Sequence, residues 1–179
     1  MRIGDVAVRP FRDESADYAR MAGWLSDEHV LRWYEGRDKP FDLTQAEAKY
    51  GPRARNEEAI NSCFIEHCGR PVGYLQHYPV AEAGEYGLED STGLHAIDLF
   101  IGEVEVWGKG IGTMAVRAVV RHLLDHAGAI QVLVDPQVGN ARAIRCYEKA
   151  GFATVKILPK HELHEGQHRD CWLMATDGT

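Results

Sequence analysis

The segment Trp107-Gly-Lys-Gly-Ile-Gly-Thr113 is the part of the chain best suited to hold an anion. Glycines let backbone N–H groups come close to a guest, and a helix starting there adds the positive end of its dipole. A phosphate or pyrophosphate is the natural guest, although such a strand-to-helix turn can also be no more than a tight turn. It is not a Walker loop, because Lys109 lies inside the glycines. GxGxxG is not met either, since Gly108-Lys-Gly110 runs on into Ile111-Gly112-Thr113. Ten residues before Gly108 stands Asp98, in a stretch that reads as strand, where Asp is disfavoured. Downstream, Asp135 leaves a short apolar strand at the end where open α/β sheets bind ligands. Asn140 and Tyr147 follow on the next helix, where position alone makes them an N-cap and a core residue.

These residues need a frame. Val6, Val8 and Pro10-Phe11 read as a first strand, and 15–31 as two short helices with Asp27 capping the second. Another helix opens at Thr44 and is ended or kinked by Pro52. Strands over 60–66 and 72–78 form a hairpin about Gly69-Arg70-Pro71, and 79–93 is loop. The span 94–106 is predicted as the long central strand, and 108–112 launches an amphipathic helix through Leu124. The apolar run 130–134 reads as a strand covered on both faces, and 140–150 as a helix capped by Gly151. Strands over 152–158 and 170–175 complete the sheet, with the His-rich stretch between them as a surface connection. His161, His164 and His168 have metal-compatible spacing, but no confirming carboxylate or Cys pattern surrounds them. His122 and His126 share a helix face and read as surface residues.

The chain has 179 residues, 45% apolar and 26% charged, which suits one domain with a real core and excludes disorder. Its formal charge of −7 disfavours nucleic acid and favours a cationic ligand. Cys63, Cys68, Cys146 and Cys171 form no CxxC and read as reduced thiols. The opening MRIGDVAVRPFRDESAD meets charge too soon for a signal-peptide core, and no apolar run approaches a membrane span. The expectation is a cytoplasmic protein with neither membrane nor nucleic acid as partner.

The Gly-x-Gly-x-Gly turn, joined to the downstream run Asn140-Ala-Arg-Ala-Ile-Arg-Cys-Tyr147-Glu-Lys-Ala-Gly-Phe152, resembles the GNAT superfamily of acetyl-CoA-dependent N-acetyltransferases. Arg142 to Phe152 looks most like the wording of the aminoglycoside 6'-N-acetyltransferases, which also carry an Asp where Ala96-Ile97-Asp98 stands. Trp33-Tyr34-Glu35-Gly36 and Gly73-Tyr-Leu-Gln76-His-Tyr78 extend the resemblance over most of the chain. It implies an α/β (α+β) GNAT-type single domain over 1–179, with a mixed central sheet of about six to seven strands flanked by helices. Acetyl-CoA is the implied co-substrate, with no metal, and an aminoglycoside amine the implied acceptor. One departure is Trp107, which stands where the superfamily often has Gln or Arg.

Acetyl transfer from a thioester requires the amine to lose a proton and the thiolate to leave, preferably protonated. The resemblance assigns the first role to Asp98, directly or through water, and the second to Tyr147. For the cofactor it implies the turn residues Trp107 to Thr113, with Asn140, Ala143, Tyr147 and Lys149 on the helix. Phe100 and Ile101 are placed to meet the pantetheine amides through their backbone. For a polyamine sugar the candidates are Trp33, Tyr34, Gln76, Tyr78, Asp98 and Asp135. The acidic loop adds Glu82, Glu85, Glu89 and Asp90, which also read as an ordinary solvated loop. Two rival readings are a GNAT acting on another small cationic amine (lysine-like, siderophore precursor or polyamine) and a non-catalytic acyl-CoA-binding module. Retention of Asp98 and Tyr147 argues against the second.

Overall fold

The structure, a computed structural model, describes residues 1–177. Its strands are β1 (Arg2–Ile3), β2 (Val6–Pro10), β3 (Asn61–His67), β4 (Arg70–Pro79), β5 (Leu94–Ile101), β6 (Gln131–Val134), β7 (Ala153–His164) and β8 (Gln167–Thr176). The helices are α1 (Ser15–Trp24), α2 (Glu28–Leu31), α3 (Leu43–Ala54), α4 (Ile111–His126) and α5 (Ala141–Ala150). One sheet runs β1-β2-β3-β4-β5-β6-β8-β7.

The β5–β6 pair is parallel, whereas its neighbours pair antiparallel. Its register covers only Leu94, Ala96 and the residue between, against Gln131 to Leu133. Beyond Ala96, β5 stays paired to β4 up to Ile101 but parts from β6. The sheet therefore opens into a wedge at the C-terminal ends of its parallel strands, the usual place for a ligand in such sheets. Along the wedge, β5 leaves backbone donors and acceptors without a strand partner, and these seek another one.

Both faces are covered. The apolar stripe of α4 buries Val116, Val119 and Leu123 against Ile97, Val132 and Val134. Helices α1 to α3 cover the other face through an aromatic cluster that includes Trp24, Tyr50, Phe64, Tyr74 and Phe100. Each such side chain contributes roughly 1.5–3 kcal/mol on burial. Local signals match the sequence closely at several ends. Asp27 accepts from His29 N to start α2, Asp42 and Gln45 form a capping box on α3, and Gly151 ends α5 in the left-handed region.

Four elements differ from expectation. β1 adds a strand to the sheet, too short to show a pattern. The central strand stops at Ile101, because Gly102 N and Glu103 N both turn onto Val72 O and 104–106 closes a 3-10 turn. The β3–β4 turn is Cys68-Gly69, both at positive φ, so Arg70 and Pro71 belong to the strand. The His-rich stretch is strand, not surface connection: β7 and β8 extend to a turn at Glu165-Gly166, with φ 49° and 71°. An irregularity between Leu158 and Glu162 breaks the alternation there and hides the strand in the sequence. His161, His164 and His168 hydrogen-bond Asp135, the Arg32 carbonyl and the Lys160 carbonyl.

On the α4 face, His77 is 8% exposed, its Nδ1 has no partner among the described residues, and burial holds its pKa down to about 4, helped by repulsion from His122 and His95. A depressed imidazole binds its proton more tightly in the unfolded chain, so stability falls as pH drops from about 6.5 to 4. His77 alone accounts for about 3 kcal/mol over that range. His77→Phe should flatten the acid limb of melting temperature against pH. An unchanged slope would remove His77 as its cause.

Candidate active site

A cavity of about 430 Å³ fills the wedge. Leu99, Phe100 and Ile101 of β5 form one side, and Asn140, Ala143, Tyr147 and Lys149 of α5 the other. Trp107, Gly108 and Gly110 to Thr113 close its end. Lys109 is exposed beside it and does not line it. Gly108 and Gly110 sit at φ +76° and +80°, and a Cβ on either would meet nothing within 4 Å. Backbone conformation, not crowding, demands glycine at these two positions. Gly110 caps α4 without any side-chain hydrogen bond, so the first N–H groups of the helix face open space. An uncapped helix start of this kind fits a pyrophosphate.

Asn140 acts as the N-cap of α5, accepting from Ala143 N at 3.2 Å, and also lines the cavity. The Trp107 indole donates to Ile101 O at 2.8 Å, tying the turn to the end of β5. Above that ring, at 3.4 Å, lies the guanidinium of Arg142, which sequence reasoning passed over. No carboxylate pairs with Arg142 among the described residues, and burial lowers its pKa. A desolvated, unpaired cation beside the turn is where an anionic group gains most. Arg142→Ala should weaken binding of a nucleoside diphosphate about tenfold. An unchanged affinity in calorimetric titration would show the cation to be idle.

Next to Leu99, Asp98 Oδ2 accepts from Gln76 Nε2 at 2.7 Å and from the Tyr78 hydroxyl at 3.2 Å. Gln76 cannot turn away, because its Oε1 is held by Arg53 Nη1 at 2.8 Å and by the Tyr74 hydroxyl at 3.0 Å. The register of β4 and β5 puts Gln76 directly opposite Asp98. Burial, then the nearby Asp135 carboxylate, push Asp98 up to about 6, against the pull of its two donors. Glu162 adds to the upward push and is a further carboxylate that sequence reasoning missed. Asp135 itself meets His161, and the Tyr86 ring lies 5.8 Å from that imidazole.

Trp33 and Tyr34 wall the cavity, with Tyr34 packed 4.8 Å from Phe100. The acidic loop behaves differently from its neighbours. Glu82, Glu85, Glu89 and Asp90 are exposed, and Asp90 is engaged locally by Thr92. What the loop sends inward is Tyr86, 5% exposed. Tyr147 is buried at the inner end of α5, its ring 5.7 Å from Phe152, and burial raises its pKa well above the ordinary phenol. A phenol so placed stays protonated at neutral pH and has a proton to give.

The family described as Acetyltransferase (GNAT) domain matches residues 13–159. Aminoglycoside N(6')-acetyltransferase type 1 of Klebsiella pneumoniae is 34% identical over 138 residues, covering 76% of this chain and 69% of that protein. A kanamycin resistance protein of Rhizobium radiobacter is 44% identical over 72 residues, 40% of this chain and 67% of that one. A crystal structure of aminoglycoside acetyltransferase AAC(6')-Ib with coenzyme A and kanamycin superposes at a TM-score of 0.79 and 28% identity, covering 96% of this chain and 94% of the other.

Proposed function

The chain belongs to the GNAT acetyltransferase family, and from that premise we propose that it moves the acetyl group of acetyl-CoA to the 6'-amine of aminoglycosides. The reaction is direct attack within a ternary complex, and it confers resistance by removing a charge and its donors from the drug. The carrying observation is a cavity between β5 and α5, closed by the glycine turn, beside Asp98, a carboxylate held near 6 among further carboxylates. A polyamine is drawn to that cluster, and Asp98 is poised to take a proton at neutral pH.

Each residue has a distinct part. Asp98 binds the acceptor's ammonium and accepts its proton; an amine of pKa near 9 costs about 2–3 kcal/mol to neutralise at pH 7. The freed nitrogen forms the new bond to the carbonyl carbon, gives up its second proton to solvent, and the carbon–sulfur bond breaks to leave the amide. Tyr147 gives its proton to the departing sulfur and is restored from solvent. The turn Gly108 to Thr113 holds the pyrophosphate, and the open edge of β5 at Phe100 and Ile101 pairs with the pantetheine amides. Gln76 and Tyr78 fix the carboxylate of Asp98, while Trp33, Tyr34 and Asp135 shape the acceptor's seat. The domain is read as spanning the whole chain, and four free cysteines favour a reducing, cytoplasmic setting.

CoA-thiol release with acetyl-CoA and kanamycin, tobramycin, lysine, hydroxylysine or spermidine tests the reading. Turnover of drugs with a 6'-amine but not of 6'-hydroxyl analogues is expected. Activity confined to the small amines would overturn the aminoglycoside assignment.

A further inference from the structure

Asp135 already has a partner able to carry a positive charge. His161 Nε2 lies 2.8 Å from its Oδ2, and both side chains are mostly covered, at 19% and 24% exposure. His161 occupies the irregular stretch of β7 between Leu158 and Glu162, and such irregularities re-aim side chains. Here the result is an imidazole held between the Asp135 carboxylate and the ring of Tyr86. The charged groups that act on it are Asp135 from the end of β6, Glu85 from the 3-10 turn Ala83–Tyr86, and Glu162 on its own strand. All favour the imidazolium; the hydrogen bond to Asp135 raises the pKa above the ordinary value, and burial opposes it. Asp98 stands close enough to Asp135 for each charge to be felt by the other.

An ammonium arriving at Asp135 would meet a cation already in place. Two positive groups on one partly buried carboxylate repel, and the group able to shed its charge near neutral pH is the imidazole. We infer that His161 is a resident counter-ion of Asp135 that an acceptor ammonium displaces, with loss of the imidazolium proton to solvent. The inference rests on the aminoglycoside reading above. It makes the cleft selective: a polycation strong enough to replace His161 enters, and a weakly basic amine does not. Acceptor binding consequently tightens as pH rises through the titration of the imidazolium, because the competing charge is withdrawn.

Calorimetric titration of kanamycin into the CoA-bound enzyme at pH 7.5, in buffers of different ionisation enthalpy, counts the protons released. Asp98, near 6, is already ionised there and contributes little. The wild type should release more protons than His161→Asn or His161→Gln. Both variants should also bind kanamycin several-fold tighter than wild type at pH 6.5 and converge on it at pH 8. Protonation of the drug's own amines is common to all three and cancels. Equal proton release and equal pH slopes would overturn the inference. On the unaltered enzyme, the His161 ring resonance should titrate at lower pH once kanamycin is bound; an unmoved or raised titration would equally overturn it. Wild-type enzyme that does not acetylate kanamycin would overturn the functional reading, and this inference with it. Acetylation with unaltered linkage in the variants would sink this inference alone.

Discussion

Asp98→Asn is expected to lower kcat/KM for kanamycin by about 10³, to leave acetyl-CoA binding intact, and to raise the melting temperature at neutral pH. The first effect follows from removing the proton acceptor and the anionic partner of the ammonium together, since a positioned base is typically worth 10²–10⁴. The second follows because Asp98 faces the acceptor side through Gln76 and Tyr78, whereas the glycine turn and α5 stand apart from it. The third has its own sign. Asp98 is raised to about 6, so the folded chain holds the proton more tightly than the unfolded one between about 4 and 6. Its charge therefore costs stability, about 3 kcal/mol, fully present above pH 6 and absent below 4. An amide of the same shape can still accept from Gln76 and Tyr78 while carrying no charge. The gain in melting temperature should appear at pH 7.5 and vanish at pH 4.5. A gain of equal size at both would mean that packing, not charge, is responsible. In the wild type the same titration should make activity fall away below pH 6, and full activity of the variant would remove Asp98 from the chemistry.

What the sequence revealed of this site, and what it hid, divides along contact range. The turn at Gly108 and Gly110 was legible because the required backbone is local: positive φ demands glycine, and the helix follows at once. Asn140 and Gly151 announced α5 for the same reason, as an N-cap and a left-handed C-cap. Asp98 was legible as an oddity, a carboxylate in a strand, but the cage that holds it was only half visible. Arg53 reaches Gln76 from α3, and nothing in the local pattern of α3 points there. His161 was harder still. Its partner lies 26 residues away, across a strand whose alternation is broken between Leu158 and Glu162, so the whole stretch read as loop. The acidic loop shows the opposite case. Composition drew attention to Glu82, Glu85, Glu89 and Asp90, whereas the fold leaves them exposed and buries Tyr86 among them. Charge density along a chain reports solvation; only the sheet decides which side chains face a cleft.

Tyr147→Phe should cut kcat about 30-fold with little change in either KM, a smaller loss than at Asp98. The reason lies in the leaving group. A thiol of pKa near 8.5 departs tolerably as thiolate at neutral pH, so a proton donor is worth less here than a base for an ammonium. The geometry makes the substitution clean. The ring packs on Phe152 and the core around α4, and Phe retains all of that. No protein group hydrogen-bonds the Tyr147 hydroxyl among the described residues, while the residue lines the cavity. Deleting the oxygen therefore leaves no buried partner unsatisfied, and the melting temperature should stay within about 2 °C. Because burial holds the phenol far above its ordinary pKa, wild-type activity should show no loss up to pH 9 from its ionisation. A thioester whose thiol is a poorer leaving group should widen the gap between Tyr147 and Phe, and a better one should close it. If the ratio of the two rates is flat across such a series, protonation of sulfur is not what Tyr147 does. An ordered binding surface for the thioester would then be its role, visible as a rise in the KM for acetyl-CoA instead of a fall in kcat.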